Sequence, residues 1–404
     1  MKKIELNADS RQFRFSEVVT LIIITLIIGF IIGLSVFKVL YEKNNGVSRY
    51  IEDENLSKFI ENYNYVVDNY YGDLDKSKLI DNAISGMLDS IDDPYTTYLD
   101  QSESNSFNTS LNGSFEGIGV EIVSDSDGNI IVYSVLDDSP ASRAGIKSLD
   151  ILKSFNGISL NGVSTSDFVS MVKNSDSPSI KLELIRDNEE ISVDVNRELV
   201  IIKSVKSDIF EKSGKKIGYI YISIFASNTY SQFKDELKKL ESQNIDGLII
   251  DVRSNTGGHL TSVEGILGLF LDSSHVIYQT EDKNGIEKFY SKGQVTKNYP
   301  IVILTNEASA SASEILAAAM SEEYGATLVG KRTFGKGTVQ ELKTLPDGEQ
   351  YKFTTKKWLT PKGNWINGTG VEVDIESDFN SDYYDDPSYE NDSQLQSAIG
   401  VFLN

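Results

Sequence analysis

Residues 308–320, ASASASEILAAAM, set Ser309, Ser311 and Ser313 at alternate positions ahead of an alanine-rich apolar stretch. The run before them, PIVILTN, reads as a buried strand, and SEILAAAM reads as the start of a helix. A serine at such a junction stands where unpaired N–H groups and the helix dipole can stabilise an oxyanion. The same residues also match a helix cap, because Ser311 is followed three residues on by Glu314. The pattern is not a G-x-S-x-G elbow. On local grounds Ser311 is therefore a cap or a nucleophile. A base is scarce, since the chain has two histidines, His259 and His275, and neither is close in sequence. Another candidate lies in GKRTFGKGTVQ (330–340), where Lys336 stands between Gly335 and Gly337. A lysine buried in so tight a segment is more easily neutral, and a neutral amine accepts a proton. Ser–Lys pairs need no histidine. His259, beside the SNTGG loop, leaves a Ser–His pair as a further reading.

Composition narrows the chemistry. The 404 residues suffice for two or three domains with proper cores. A net charge of −22 speaks against nucleic acid and against anionic lipid surfaces as partners. With no cysteine, disulfides, thiolate metal sites and a cysteine nucleophile are excluded. Two isolated histidines speak against a zinc site, and no metal or other cofactor is expected. Val18–Phe37 is an uncharged run of 20 residues, long enough to span a bilayer as a helix. Lys2, Lys3, Arg11 and Arg14 precede it, so a single-span anchor with a cytoplasmic N-terminus and an extracytoplasmic catalytic part is expected. The run is too long for a cleaved signal peptide.

The elements that must position Ser311 and Lys336 follow from periodicity. Residues 53–100 are expected to be helical, up to the break at Pro94, and NSFNTSLNGS (105–114) is expected to be a polar linker. Residues 115–198 read as short strands with helices at 139–145 and 165–173. There FEGIGVEI lets the N–H groups of Ile118, Gly119 and Val120 converge, a nest for a peptide's C-terminal carboxylate; a plain glycine turn is the simpler alternative. From 199 to 375 apolar strands alternate with helices, which indicates an α/β layered core. An acidic, tyrosine-rich loop and a short amphipathic helix close the chain.

Taken in order, AISGMLDSIDDPYTTYL, GSFEGIGVEI, SPASRAGI, DVRSNTGG, NEASASASE, FGKGTVQ and KWLTPKGNWI resemble the carboxyl-terminal processing peptidases, the tail-specific protease family. The likeness implies an α/β (α+β) multidomain chain. Its parts would be a stub and transmembrane anchor (1–43), a helical segment (44–105), a PDZ-like peptide-binding domain (106–198), a Ser–Lys peptidase core (199–375), and a loop with a C-terminal helix (376–404). It further implies Ser311 as nucleophile, Lys336 as base, Gln340 as the residue orienting that lysine, and the N–H groups of Gly257 and Ala312 as the oxyanion hole. Partners would be proteins or peptides with exposed C-termini, and a second copy of the chain in a homodimer. The function implied is a membrane-anchored serine endopeptidase; a catalytically silent PDZ adaptor or chaperone is the alternative. Several departures stand out. Thr256 replaces the usual proline of the loop, His259 an apolar residue, and Lys173-Asn174 the usual Arg-Gly. KSLD (147–150) replaces a Pro-Gly-Asp turn, and GVEVD lacks a late proline.

Overall fold

The structure, a computed structural model, describes residues 53–345, 348–381, 383 and 386–403, together with 29, 33, 34 and 36. The expected membrane span, Val18–Phe37, lies outside the described residues but for those last four. Among the described residues no helix is long and apolar enough to cross a membrane. The chain divides into two compact units, residues 1–84 and 85–404.

In the first unit, helix Glu54–Asn69 starts where the Asp53 carboxylate accepts the N–H groups of Asn55 and Leu56. None of its residues is buried, although its apolar side chains share a face. A second helix, Lys76–Asp89, runs on across the boundary.

The second unit holds three layers built on one six-stranded sheet. Its order is Val205–Lys212, Lys215–Ile222, Gly247–Asp251, Ile301–Thr305, Thr327–Gly330 and Ile375–Glu376. The first pair is antiparallel and the rest are parallel. Strand alternation sends neighbouring residues to opposite faces. Ile250 and Ile303 meet Phe233, Val263 and Leu316 of the helices on one side. Ile249 and Val302 meet Leu395, Ala398 and Ile399 of helix Ser393–Val401 on the other. A second, antiparallel sheet joins Thr97–Leu99, Gln350–Leu359, Val276–Asp282, Gly285–Tyr290 and Thr338–Thr344.

The PDZ-like part is a separate sheet with its own core, from Ile118 to Val195. Its two chain connections leave side by side, because Ser114–Gly117 pairs with Glu198–Ile201 as a two-stranded ribbon. Arg197, at the root of this ribbon, donates to the carbonyls of Val172 and Lys173 at 2.8 and 2.5 Å. Its Nε lies 3.1 Å from Glu116 Oε1. An arginine thus holds the end of helix Thr165–Lys173 although position 173 is lysine.

The polar linker expected at 105–114 is instead a helix, Gln101–Asn112. Low hydropathy is outweighed by its ends. Asp100 accepts the Glu103 N–H at 2.8 Å while Glu103 accepts that of Asp100 at 3.1 Å. Gly113 stops the helix at φ +67°, and the Leu111 and Asn112 carbonyls accept from Ser227.

Candidate active site

Strand Ile301–Thr305 delivers the chain into the alternating serines. Ser309 Oγ donates to the Val252 carbonyl at 2.8 Å, and Ser313 Oγ donates to that of Asn255 at 2.8 Å. Both serines are fully buried and fasten the helix start to the loop after strand Gly247–Asp251. Ser311 points the other way and is only half-buried. Its backbone is held at φ +55°, ψ −114°. A β-carbon is strained there, and such strain persists only when the surroundings over-determine it. The Glu314 N–H donates to the Ser311 backbone carbonyl at 2.9 Å.

What holds that conformation is Glu314, with no exposed surface. One carboxylate oxygen accepts the Ser311 N–H at 2.7 Å and the Lys336 N–H at 2.9 Å. The other accepts the Gly335 N–H at 2.7 Å and the Thr333 hydroxyl at 2.6 Å. Burial pushes this carboxyl up from its ordinary range, and the four donated hydrogen bonds oppose the push. A single side chain therefore ties the serine turn to the lysine loop.

The loop of Asn255 to Gly258 closes a second side. A methyl group at Gly257 would lie 2.9 Å from Ser311 Cβ and 3.2 Å from the Ala312 nitrogen. At φ +109° only glycine fits without strain. Gly257, Ser311 and Ala312 are thus adjacent, but the Gly257 N–H donates to Asn255 Oδ1 at 2.9 Å. The loop is anchored by Arg253, which donates to Asp251 at 2.6 Å and to Asp392 at 2.7 Å. Asp392 caps the last helix. His259 begins helix Leu260–Leu267; its N–H donates to the Phe225 carbonyl, and its Nε2 is buried without a partner among the described residues.

Lys336 lies on the other wall. Trp358 and Trp365, the two tryptophans of the chain, donate their indole N–H groups to the carbonyls of Lys336 and Gly337 at 2.6 and 2.8 Å. Burial, then the charge of Lys352, push the Lys336 amine down to about 8, against the pull of Glu314 and Asp93. The amine lies over the Tyr95 ring, 4.8 Å from its centroid, and makes no hydrogen bond with Ser311. Gln340 donates to Thr338 and Thr354 at 2.9 and 3.2 Å rather than hydrogen-bonding the Lys336 side chain. Ile118, Gly119 and Val120 are in the PDZ-like part. Gly119, at φ +84°, is pressed against Ser139, and the Ile118 carbonyl accepts from Ala141. Val120–Ser124 forms the free edge of its sheet.

Three parts of the chain match known families. Residues 216–377 match peptidase family S41, residues 108–185 a PDZ domain, and residues 36–103 the activating protease CtpB N-terminal domain. The carboxy-terminal processing protease CtpB of Bacillus subtilis (strain 168) is 38% identical over 80% of this chain and 68% of its own. The carboxy-terminal processing protease CtpA of the same strain is 36% identical over 86% of this chain and 74% of its own. The chain belongs to peptidase family S41. It is a carboxy-terminal processing serine protease with a PDZ domain. The putative S41 protease of Bacteroides fragilis NCTC 9343 is 14% identical and shares the fold, with a TM-score of 0.51 over 83% of this chain and 98% of that one.

Three residues of this candidate site carry no role in the sequence reading. Glu314 looked like half of a helix cap, Tyr95 like part of a loop, and Trp365 like one letter of a motif. Only Glu314 carried a signal, since a buried glutamate in an alanine-rich helix needs several donors.

Proposed function

We propose that this protease cleaves by a Ser–Lys dyad. Ser311 Oγ attacks the scissile carbonyl as its proton passes to the neutral amine of Lys336. Lys336 then gives that proton to the leaving amine, and water releases the acyl group by the reverse path. Lys336 swings from Tyr95 to Ser311 when substrate is seated. The Ala312 N–H, at the start of the helix, and the Gly257 N–H, once released by Asn255, stabilise the oxyanion. Gln340 turns toward Lys336 in the same rearrangement. The observation that carries this reading is the carboxylate of Glu314, which holds the Ser311 N–H at 2.7 Å and the Lys336 N–H at 2.9 Å. The nest at Ile118, Gly119 and Val120 receives the substrate's C-terminal carboxylate, while the chain before it adds to the Val120–Ser124 edge.

The apolar run Val18–Phe37 anchors the protein, with the catalytic part extracytoplasmic. The unburied apolar face of helix Glu54–Asn69 serves a homodimer.

The test is cleavage of a peptide with an apolar C-terminus by the full chain at pH 8.5. Wild type should cut it, and Ser311→Ala and Lys336→Ala should leave it intact. Full activity in either variant would sink the dyad.

A further inference from the structure

Lys336 and a second half-buried amine, that of Lys352, both feel the charge of Asp93. In the hairpin of strands Thr338–Thr344 and Gln350–Leu359, Gln340 lies opposite Thr354 and Leu342 opposite Lys352. Alternation places Gln340, Thr354 and Lys352 on one face. On its other edge Lys352 lies opposite Thr97, and the Thr354 N–H donates to Thr96 Oγ1 at 3.1 Å. These bonds bring the loop of Asp93 and Tyr95 onto that face. Lys336 Nζ lies over Tyr95, and Lys352 Nζ lies over Phe107 at 5.5 Å. Both lysines are half-buried, and neither has a carboxylate at ion-pair distance among the described residues.

The charged and titratable groups facing the pair are few. Asp93 and Tyr95 come from the loop and Glu314 from the helix. Glu314 is already engaged by four donors. Two half-buried ammonium groups repel, and among the described residues Asp93 and Glu314 offset them.

We propose that Lys352 is a positioning residue, whose charge holds the amine of Lys336 in its proton-accepting form. Lys336, the more deeply buried of the two, is the one that gives up its proton more readily. The inference rests on Lys336 being the base.

The test is the pH dependence of kcat/KM for peptide cleavage by the full chain carrying Lys352→Met, Lys352→Gln or Lys352→Arg, beside wild type and Lys336→Ala. Losing the charge at 352 should move the acid limb up by on the order of one pH unit. At pH 7 kcat/KM should then fall about tenfold, with little change above the limb. Lys352→Arg should keep the wild-type limb. The Gln variant keeps a polar head in place and covers poor folding of the Met variant. Neutral variants with an unmoved limb, or an Arg variant displaced as far as they are, would overturn the proposal. An inactive Lys336→Ala with unmoved neutral variants defeats this inference alone. A fully active Lys336→Ala defeats the dyad itself.

Discussion

The amine of Lys336 rests 4.8 Å from the centre of the Tyr95 ring. A ring face attracts an ammonium over a neutral amine by about 0.5–2 kcal/mol, more as the pair is shielded from water. Tyr95 therefore opposes the burial that pushes Lys336 down to about 8. Replacing it with leucine should lower the acid limb of the pH profile and raise kcat/KM at pH 7 a few-fold. A limb that stays put or climbs would show that the ring has no such hold.

Glu314 should be the residue whose isosteric loss is least tolerated. Glu314→Gln turns a carboxylate with four donors into an amide whose NH2 faces two of them. Each hydrogen bond to a charged group is worth about 1.5–3 kcal/mol. We expect a lower melting temperature and a loss of kcat of about a hundredfold or more, read by calorimetry and steady-state kinetics. A variant that keeps wild-type kcat would remove Glu314 from the account.

Gly257→Ala should act on the chemistry more than on the fold. Its methyl group would press on Ser311 Cβ at 2.9 Å and strain a backbone at φ +109°. Displacing an oxyanion donor costs about 10²–10³ in kcat. The expected signature is lost kcat with KM nearly unchanged; a rise in KM alone would contradict it.

Trp365 gives a milder prediction. Trp365→Phe keeps an aromatic ring, smaller than indole, and removes the N–H bonded to the Gly337 carbonyl at 2.8 Å. One net hydrogen bond is worth about 1 kcal/mol. A slightly lower melting temperature and a several-fold drop in kcat are expected, whereas unchanged kinetics would free the loop from Trp365.

Much of the fold was legible because its strands are apolar and its helices periodic: DGLIIDVRS became Gly247–Asp251 in the layered core, and TSDFVSMVK became Thr165–Lys173 in the PDZ-like part. The antiparallel sheet was not, since Val276–Asp282 and Thr338–Thr344 are half-polar and take their order from distant partners. Helix Gln101–Asn112 was hidden by polar composition, because its stability comes from its ends. At the site, Ser311 and Lys336 could be named from residue type and order, with the resemblance choosing among alternatives. Tyr95 over Lys336 and Lys352 over Phe107 are contacts between segments, and no local pattern encodes them.

The central claim is that Ser311 attacks and Lys336 takes its proton. Acid-quenched mass spectrometry of the full chain, mixed with an ester substrate, reads both at once. An acyl group should appear on the peptide containing Ser311 and be absent from Ser311→Ala. Its rate of formation should fall about tenfold per pH unit below the Lys336 value of about 8. Acyl transfer to another residue, or a rate that Lys336→Ala leaves unchanged, would contradict the account.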